Sequence, residues 1–203
     1  MSQTIVIETQ FFPPVYALSA IAKADTCLIE THENYQKRSF RNRCQLLGPN
    51  GITQISVPLA KGKHEQQSIQ KVSISYDMPW HKTFIKLCQS HYGRSPYFDH
   101  VCEQLERLLL QNFELLVDLN HAIMSWIVTF LEIETELGTT SSYNEIYPED
   151  NIWDMRSSIT AKNYRSYKTV AYPQIFEERH GFINNVSILD LLFCMGKESI
   201  YYL

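Results

Sequence analysis

The sequence predicts an α/β fold in one domain, with a mixed sheet from the N-terminal half and helices from the C-terminal half. Three observations carry this. Two short β-branched runs, Thr4–Thr9 and Thr26–Glu30, flank a helical stretch within about thirty residues, the pattern of a parallel βαβ unit. An Asn-Gly turn separates two further apolar runs, as in a hairpin. After Trp80 the apolar residues recur with helical spacing. An α+β arrangement is the alternative, because most strands precede most helices.

The elements follow in order. Thr4–Thr9 reads as a buried strand, and Phe11-Phe12-Pro13-Pro14 ends it, because proline lacks a donor and restricts the residue before it. Val15–Ala24 aligns Leu18, Ile21 and Ala22 on one helical face. Thr26–Glu30 is the second strand, and a polar, aromatic loop runs from His32 to Arg43. Gln45–Leu47 and Ile52–Leu59 flank Gly48-Pro49-Asn50-Gly51 as an antiparallel pair. Lys61–Gln67 is a polar connector. Ile69–Tyr76 alternates and reads as a strand of the same sheet. Helices follow at Trp80–His91, from a Ser95-Pro96 start through Leu109, and at Asp118–Leu131. Thr139–Asp150 reads as a loop and Trp153–Ser166 as mixed and polar. Ser187-Ile188-Leu189-Asp190 has the spacing of a capping box, and Gly196 ends that last helix. No repeat or linker divides the 203 residues, so one domain over 1–203 is expected.

Composition narrows the classes. Hydrophobic residues make up 44% and charged residues 20%, which excludes disorder and a rod. Eighteen basic against 22 acidic residues give a net charge of −4, so nucleic acid is an unfavoured partner. The 12 tyrosines and 10 phenylalanines point to a core with polar handles or an aromatic-lined pocket. The five cysteines are widely spaced without a C-x-x-C pair, so neither zinc nor a disulfide is expected. No secretory leader and no membrane span are evident, and a reducing cytoplasm fits.

The densest polar stretch is Glu30, His32, Glu33, Asn34, Tyr35, Lys37, Arg38, Arg41, Asn42 and Arg43. It starts at the carboxyl end of the second strand, where open α/β sheets bind ligands. Arginines beside asparagine and tyrosine suit a phosphate or carboxylate. A solvated basic loop is the plainer reading. Gln10, just past the first strand, would open on the same edge. His81 is the candidate general acid or base, against a capping or core histidine. Tyr35, Tyr92 and Tyr97 could supply stacking faces. The sequence lacks Walker, G-x-G-x-x-G, G-x-S-x-G and H-E-x-x-H motifs, so no motif identifies a cofactor.

The chain resembles the WbqC-like family of bacterial proteins, often encoded among surface-polysaccharide (O-antigen) genes. The likeness rests on Gln10-Phe11-Phe12-Pro13-Pro14, Ala24-Asp25, the run Glu33 to Arg43, Ser56-Val57-Pro58, Trp80-His81 and Tyr92 to Phe98. It continues in Asp154-Met155-Arg156, Tyr172 to Phe176, Gly181-Phe182 and Ser187 to Phe193. It implies a cytoplasmic protein near sugar-nucleotide or polysaccharide-precursor metabolism and carries over no catalytic residue.

Three readings stand at this point. The first is a group transferase on an activated sugar or other phosphate-bearing precursor. Lys37, Arg41 and Arg43 would hold a diphosphate, Gln10, Asn34 and Asn42 would orient polar groups, and His81 would move a proton. The second is a ligand-binding or assembly module using the same loop. The third is RNA binding through the basic aromatic loop.

Overall fold

A computed structural model describes residues 3–61, 67–148 and 150–203. Residues 62–66 of the expected connector and residue 149 of the expected loop lie outside them. The chain is α/β. Among the described residues a four-stranded, all-parallel sheet has the order β5-β2-β1-β6, built from β1 (Thr4–Glu8), β2 (Thr26–Glu30), β5 (Glu136–Thr139) and β6 (Ile152–Asp154). Helix α1 (Val15–Ala22) joins β1 to β2, so the βαβ unit stands. The strands β3 (Arg43–Gly48) and β4 (Gly51–Ser56) form a separate antiparallel hairpin.

Sheet membership therefore differs from the sequence expectation in two ways. The hairpin does not extend the sheet; β3 packs on α2 (Trp80–Tyr92) and α6 (Ile188–Met195), and Gln45 O accepts the Ser187 N–H. Ile69–Tyr76 is not a strand. Ile69–Lys71 is one turn of 3-10 helix, followed by single bridges from Ile74 to Leu59 and from Ser73 to Leu115. Its buried residues are Ile69, Val72 and Ile74, a spacing of three and then two, which no regular ladder accommodates. The two remaining sheet strands come from the C-terminal half. Both are short and neither has a buried residue, so neither shows the apolar run that marks a buried strand.

The helices follow their apolar stripes. Helix α3 (Phe98–Leu109) begins two residues later than a Ser95 cap requires. Ser95 Oγ instead donates to Tyr92 O at 2.6 Å, closing the turn after α2. Helix α4 (Leu116–Leu131) ends on Glu132 in the left-handed region. A short α5 (Glu177–His180) precedes α6. One connected hydrophobic cluster joins the sheet, the hairpin and the helices. Among the described residues no helix is long and apolar enough to cross a membrane.

Ser187 caps α6, accepting the Leu189 N–H at 3.4 Å, but Asp190 does not return the bond as a capping box requires. Its wholly buried carboxylate accepts the hydroxyls of Tyr92 at 2.9 Å and Tyr172 at 2.8 Å, and the Gln174 amide at 2.9 Å. Tyr92 in turn accepts the Leu47 N–H at 2.9 Å, so one carboxylate ties α2, α6, the hairpin and the 172–174 segment.

Burial pushes the Asp190 carboxyl up from 3.8 to about 6, against the three hydrogen bonds that favour its charge. The folded state thus holds this proton more tightly than the unfolded state. Its contribution to stability is full below 3.8 and declines as pH rises through about 6, by on the order of 3 kcal/mol. Asp190→Asn should remove that slope, read by urea denaturation from pH 4 to pH 7; an unchanged slope would assign the titration to another group.

All five cysteines are free thiols, and only Cys102 is partly exposed. Burial raises Cys102 to about 11 and Cys27 to about 12. A thiol reagent should modify Cys102 first in the native protein and the others only after denaturation. Early labelling of Cys27 or Cys44 would contradict this packing.

Candidate functional site

Because the sheet is all parallel, its four strands finish on one edge. Their last residues are Glu8, Glu30, Thr139 and Asp154. Glu8 and Glu30 are register partners, so two carboxylates stand side by side at the centre of this edge. Glu33 follows from the loop after β2. Beside Glu33 a cleft of about 400 Å³ is lined by His32, Glu33, Asn34, Tyr35, Gln36 and Tyr143.

Two arginines hold this acidic edge together. Arg41, 1% exposed, donates Nε and Nη2 to the two oxygens of Glu33 at 2.6 and 2.5 Å. Arg156 donates Nε and Nη2 to Asp154 at 2.9 and 2.7 Å, and Nη1 to Glu30 at 3.0 Å. Its guanidinium also lies over the rings of Tyr143 and Tyr147, 4.9 Å from each centroid. The other oxygen of Glu30 accepts the His32 N–H at 2.7 Å and the Thr140 hydroxyl at 2.8 Å. Glu8 accepts the Gln10 amide at 2.9 Å and the Ser157 N–H at 2.8 Å.

The electrostatics follow from this crowding. Burial pushes the Glu33 carboxyl above its ordinary value, Arg41 opposes the shift, and the charges of Glu8 and Glu30 add to it. Burial also raises Asp154, but the bonds from Arg156 outweigh it and leave the carboxyl below its usual value. Arg156 is held charged chiefly by its bonds to Asp154.

The residues proposed from sequence fall into separate groups. Gln10, Asn34, Tyr35, Arg41 and Asn42 gather around this edge. Tyr35 donates its hydroxyl to Asn42 Oδ1 at 2.9 Å, and Asn42 donates to Val57 O at 3.0 Å. Arg41 does not face an open cleft; its charge is engaged by Glu33. Lys37 is exposed on the turn that follows Gln36, and Arg43 opens β3 with its Nε buried and unpartnered. Tyr92 is wholly buried at Asp190, away from the cleft lining. Tyr97 packs its ring against Gly196. His81 stands at the start of α2 against Tyr76 and Trp80, and lines a different groove, between α2 and α3. Its Nδ1 is buried without a partner.

The sequence reading pointed to the 32–43 loop, whose residues 32–36 line this cleft. It did not select Glu8, His32, Gln36, Tyr143, Tyr147 or Arg156 as site residues. The available signal was the short motif Asp154-Met155-Arg156: a carboxylate and an arginine two apart, following a strand, form a fork that can reach a neighbouring strand.

The WbqC-like protein family matches residues 9–169, which span the 32–43 loop, Tyr143, Asp154 and Arg156. The chain belongs to this family. This WbqC-like protein is also similar to a Mycobacterium tuberculosis protein named only as uncharacterized, with 25% identity over 236 aligned positions covering 100% of this chain and 98% of that one. No solved structure matches it.

Removing one partner of the Arg41–Glu33 pair should be costly. Glu33→Leu leaves a buried guanidinium unpaired, at about 3–5 kcal/mol. The double variant Arg41→Met, Glu33→Leu should cost less than the sum of the two single variants. Chemical denaturation of the wild type and the three variants measures this, and strict additivity would deny the pairing.

Proposed function

We propose that this WbqC-like protein is a cytoplasmic group transferase acting on an activated sugar precursor of surface polysaccharide, with the whole chain as one functional domain. The observation that carries the reading is the cleft beside the carboxyl edge of the sheet, whose wall brings together His32, Glu33, Asn34, Gln36 and two tyrosines. Carboxylates and amides accept hydrogen bonds from sugar hydroxyls, and an aromatic ring covers the apolar face of a sugar. Tyr143, with its ring half exposed, and Asn34 and Gln36 supply these features on the cleft wall.

In this reading the acceptor hydroxyl or amine lies in the cleft and the activated group arrives from the open side. His32, exposed on the cleft wall, takes the proton that the acceptor loses as it attacks. The phosphate end of the donor lies toward the exposed turn at Lys37 and Arg38, and departs as the leaving group. Family membership supports the neighbourhood of the chemistry, and the cleft supports the substrate class.

The test is incubation of the purified protein with the sugar-nucleotide pool of a bacterial extract, followed by mass spectrometry of that pool. A transferred group appears as a new mass. His32→Ala should lower its formation by about 10²–10⁴-fold with the melting temperature unchanged. Ligand binding without any new mass would make the protein a holding module, and neither binding nor turnover would remove the reading.

A further inference from the structure

The groove between α2 and α3, where His81 lies, shares no residue with the cleft at the sheet edge. It is open to solvent and its volume is about 520 Å³. One wall is α2, which places Lys82 and Lys86 in the groove and has no acidic residue along its length. The other wall is α3, which places Asp99, Glu103 and Glu106 there. Arg107 of α3 lies outside the lining and donates to Glu103 at 2.6 Å. The groove is therefore basic along one side and acidic along the other.

These opposite charges do not meet within the molecule. Among the described residues neither lysine makes an ion pair, and neither do Asp99 and Glu106. The same groove is lined by Ile85, Cys102 and Leu110, and Leu110 is 51% exposed. Apolar side chains with a charged surround are the anatomy of a protein interface.

The charge pattern selects the occupant. A body seated in this groove must turn acidic groups toward α2 and basic groups toward α3. Nucleic acid and an acidic membrane carry one sign and are repelled by the α3 wall. A second copy of this chain carries both signs, on the same two helices. A two-fold contact requires a patch that complements itself. When two copies face each other about a two-fold axis running along the groove, the basic wall of each lies over the acidic wall of the other.

We propose that the α2–α3 groove is the contact face of a two-fold homodimer, in which Lys82 and Lys86 of each copy meet Glu103 and Glu106 of the other and Leu110 is covered. The inference does not depend on the transferase reading, and either can fail without the other.

The experiment is sedimentation velocity on the full chain, over a concentration series reaching the high-micromolar range. The wild type should pass from monomer to dimer along the series. Lys82→Glu with Lys86→Glu makes both walls acidic, and Glu103→Lys with Glu106→Lys reverses the α3 wall. Each double variant should weaken the dimer by at least about tenfold. All four positions are exposed, so both proteins should keep the wild-type circular dichroism. If either fails to fold, the single substitutions Lys86→Glu and Glu106→Lys take their place. An equimolar mixture of the two reversed proteins should recover a dimer, because acidic again faces basic at both contacts. A wild type that stays monomeric throughout, or forms a larger closed ring instead, overturns the inference. So does a dimer undiminished in either reversed variant, which would lie on another face. A mixture that remains monomeric overturns the two-fold arrangement.

Discussion

Repulsion between carboxylates gathered on one sheet edge is the constraint around which this molecule is arranged. Adjacent strands run about 4.8 Å apart, and Glu8 and Glu30 are cross-strand partners. Two unit charges 4 Å apart at an effective dielectric of 20 repel by about 4 kcal/mol. The chain answers with two guanidiniums delivered from opposite ends of the sequence. Arg41 comes from the loop after β2, and Arg156 comes 126 residues after Glu30. The edge strand β6 exists where Arg156 needs it, because Asp154 closes the strand and turns the guanidinium toward Glu30. Ser157, in the left-handed region, then aims its N–H at Glu8.

A second buried carboxylate, Asp190, solves the opposite problem. It has no cation and is surrounded by neutral donors, from α2 and from the 172–174 segment. The two centres divide the labour. The Asp190 hub fixes the helical body to the hairpin, while the sheet edge keeps charge near a surface cleft. Only the sheet edge combines charge with access, because Glu33 reaches the cleft lining.

Much of this was legible in the sequence. The βαβ unit, the hairpin turn and the long helices follow from local spacing, and the carboxyl end of β2 pointed to the loop that lines the cleft. What was hidden depends on distant pairing. β5 and β6 are only four and three residues long and lean on central strands for their definition, so no local pattern announces them. Basic residues drew attention to the 32–43 loop, but Arg41 turns inward because Glu33, eight residues earlier, is buried with it. Charge on a linear sequence does not reveal which cations face a ligand and which neutralise a neighbour. His81 and Tyr92 were selected by residue type, and their helix carries them to other surroundings.

The late position of β6 bears on biogenesis. A nascent chain that has grown to residue 150 possesses β1, β2 and β5, but it lacks the strand that covers the free flank of β1. It also lacks the guanidinium that quiets Glu30 and the N–H that satisfies Glu8. An apolar central strand with one flank unpaired is an invitation to wrong partners while the ribosome is still at work. Closure of the sheet and neutralisation of its acidic edge are therefore one event, set by the emergence of β6 and the residues that follow it. Shielding of that flank during synthesis, by chaperone or by speed of translation, becomes part of how the protein obtains its site.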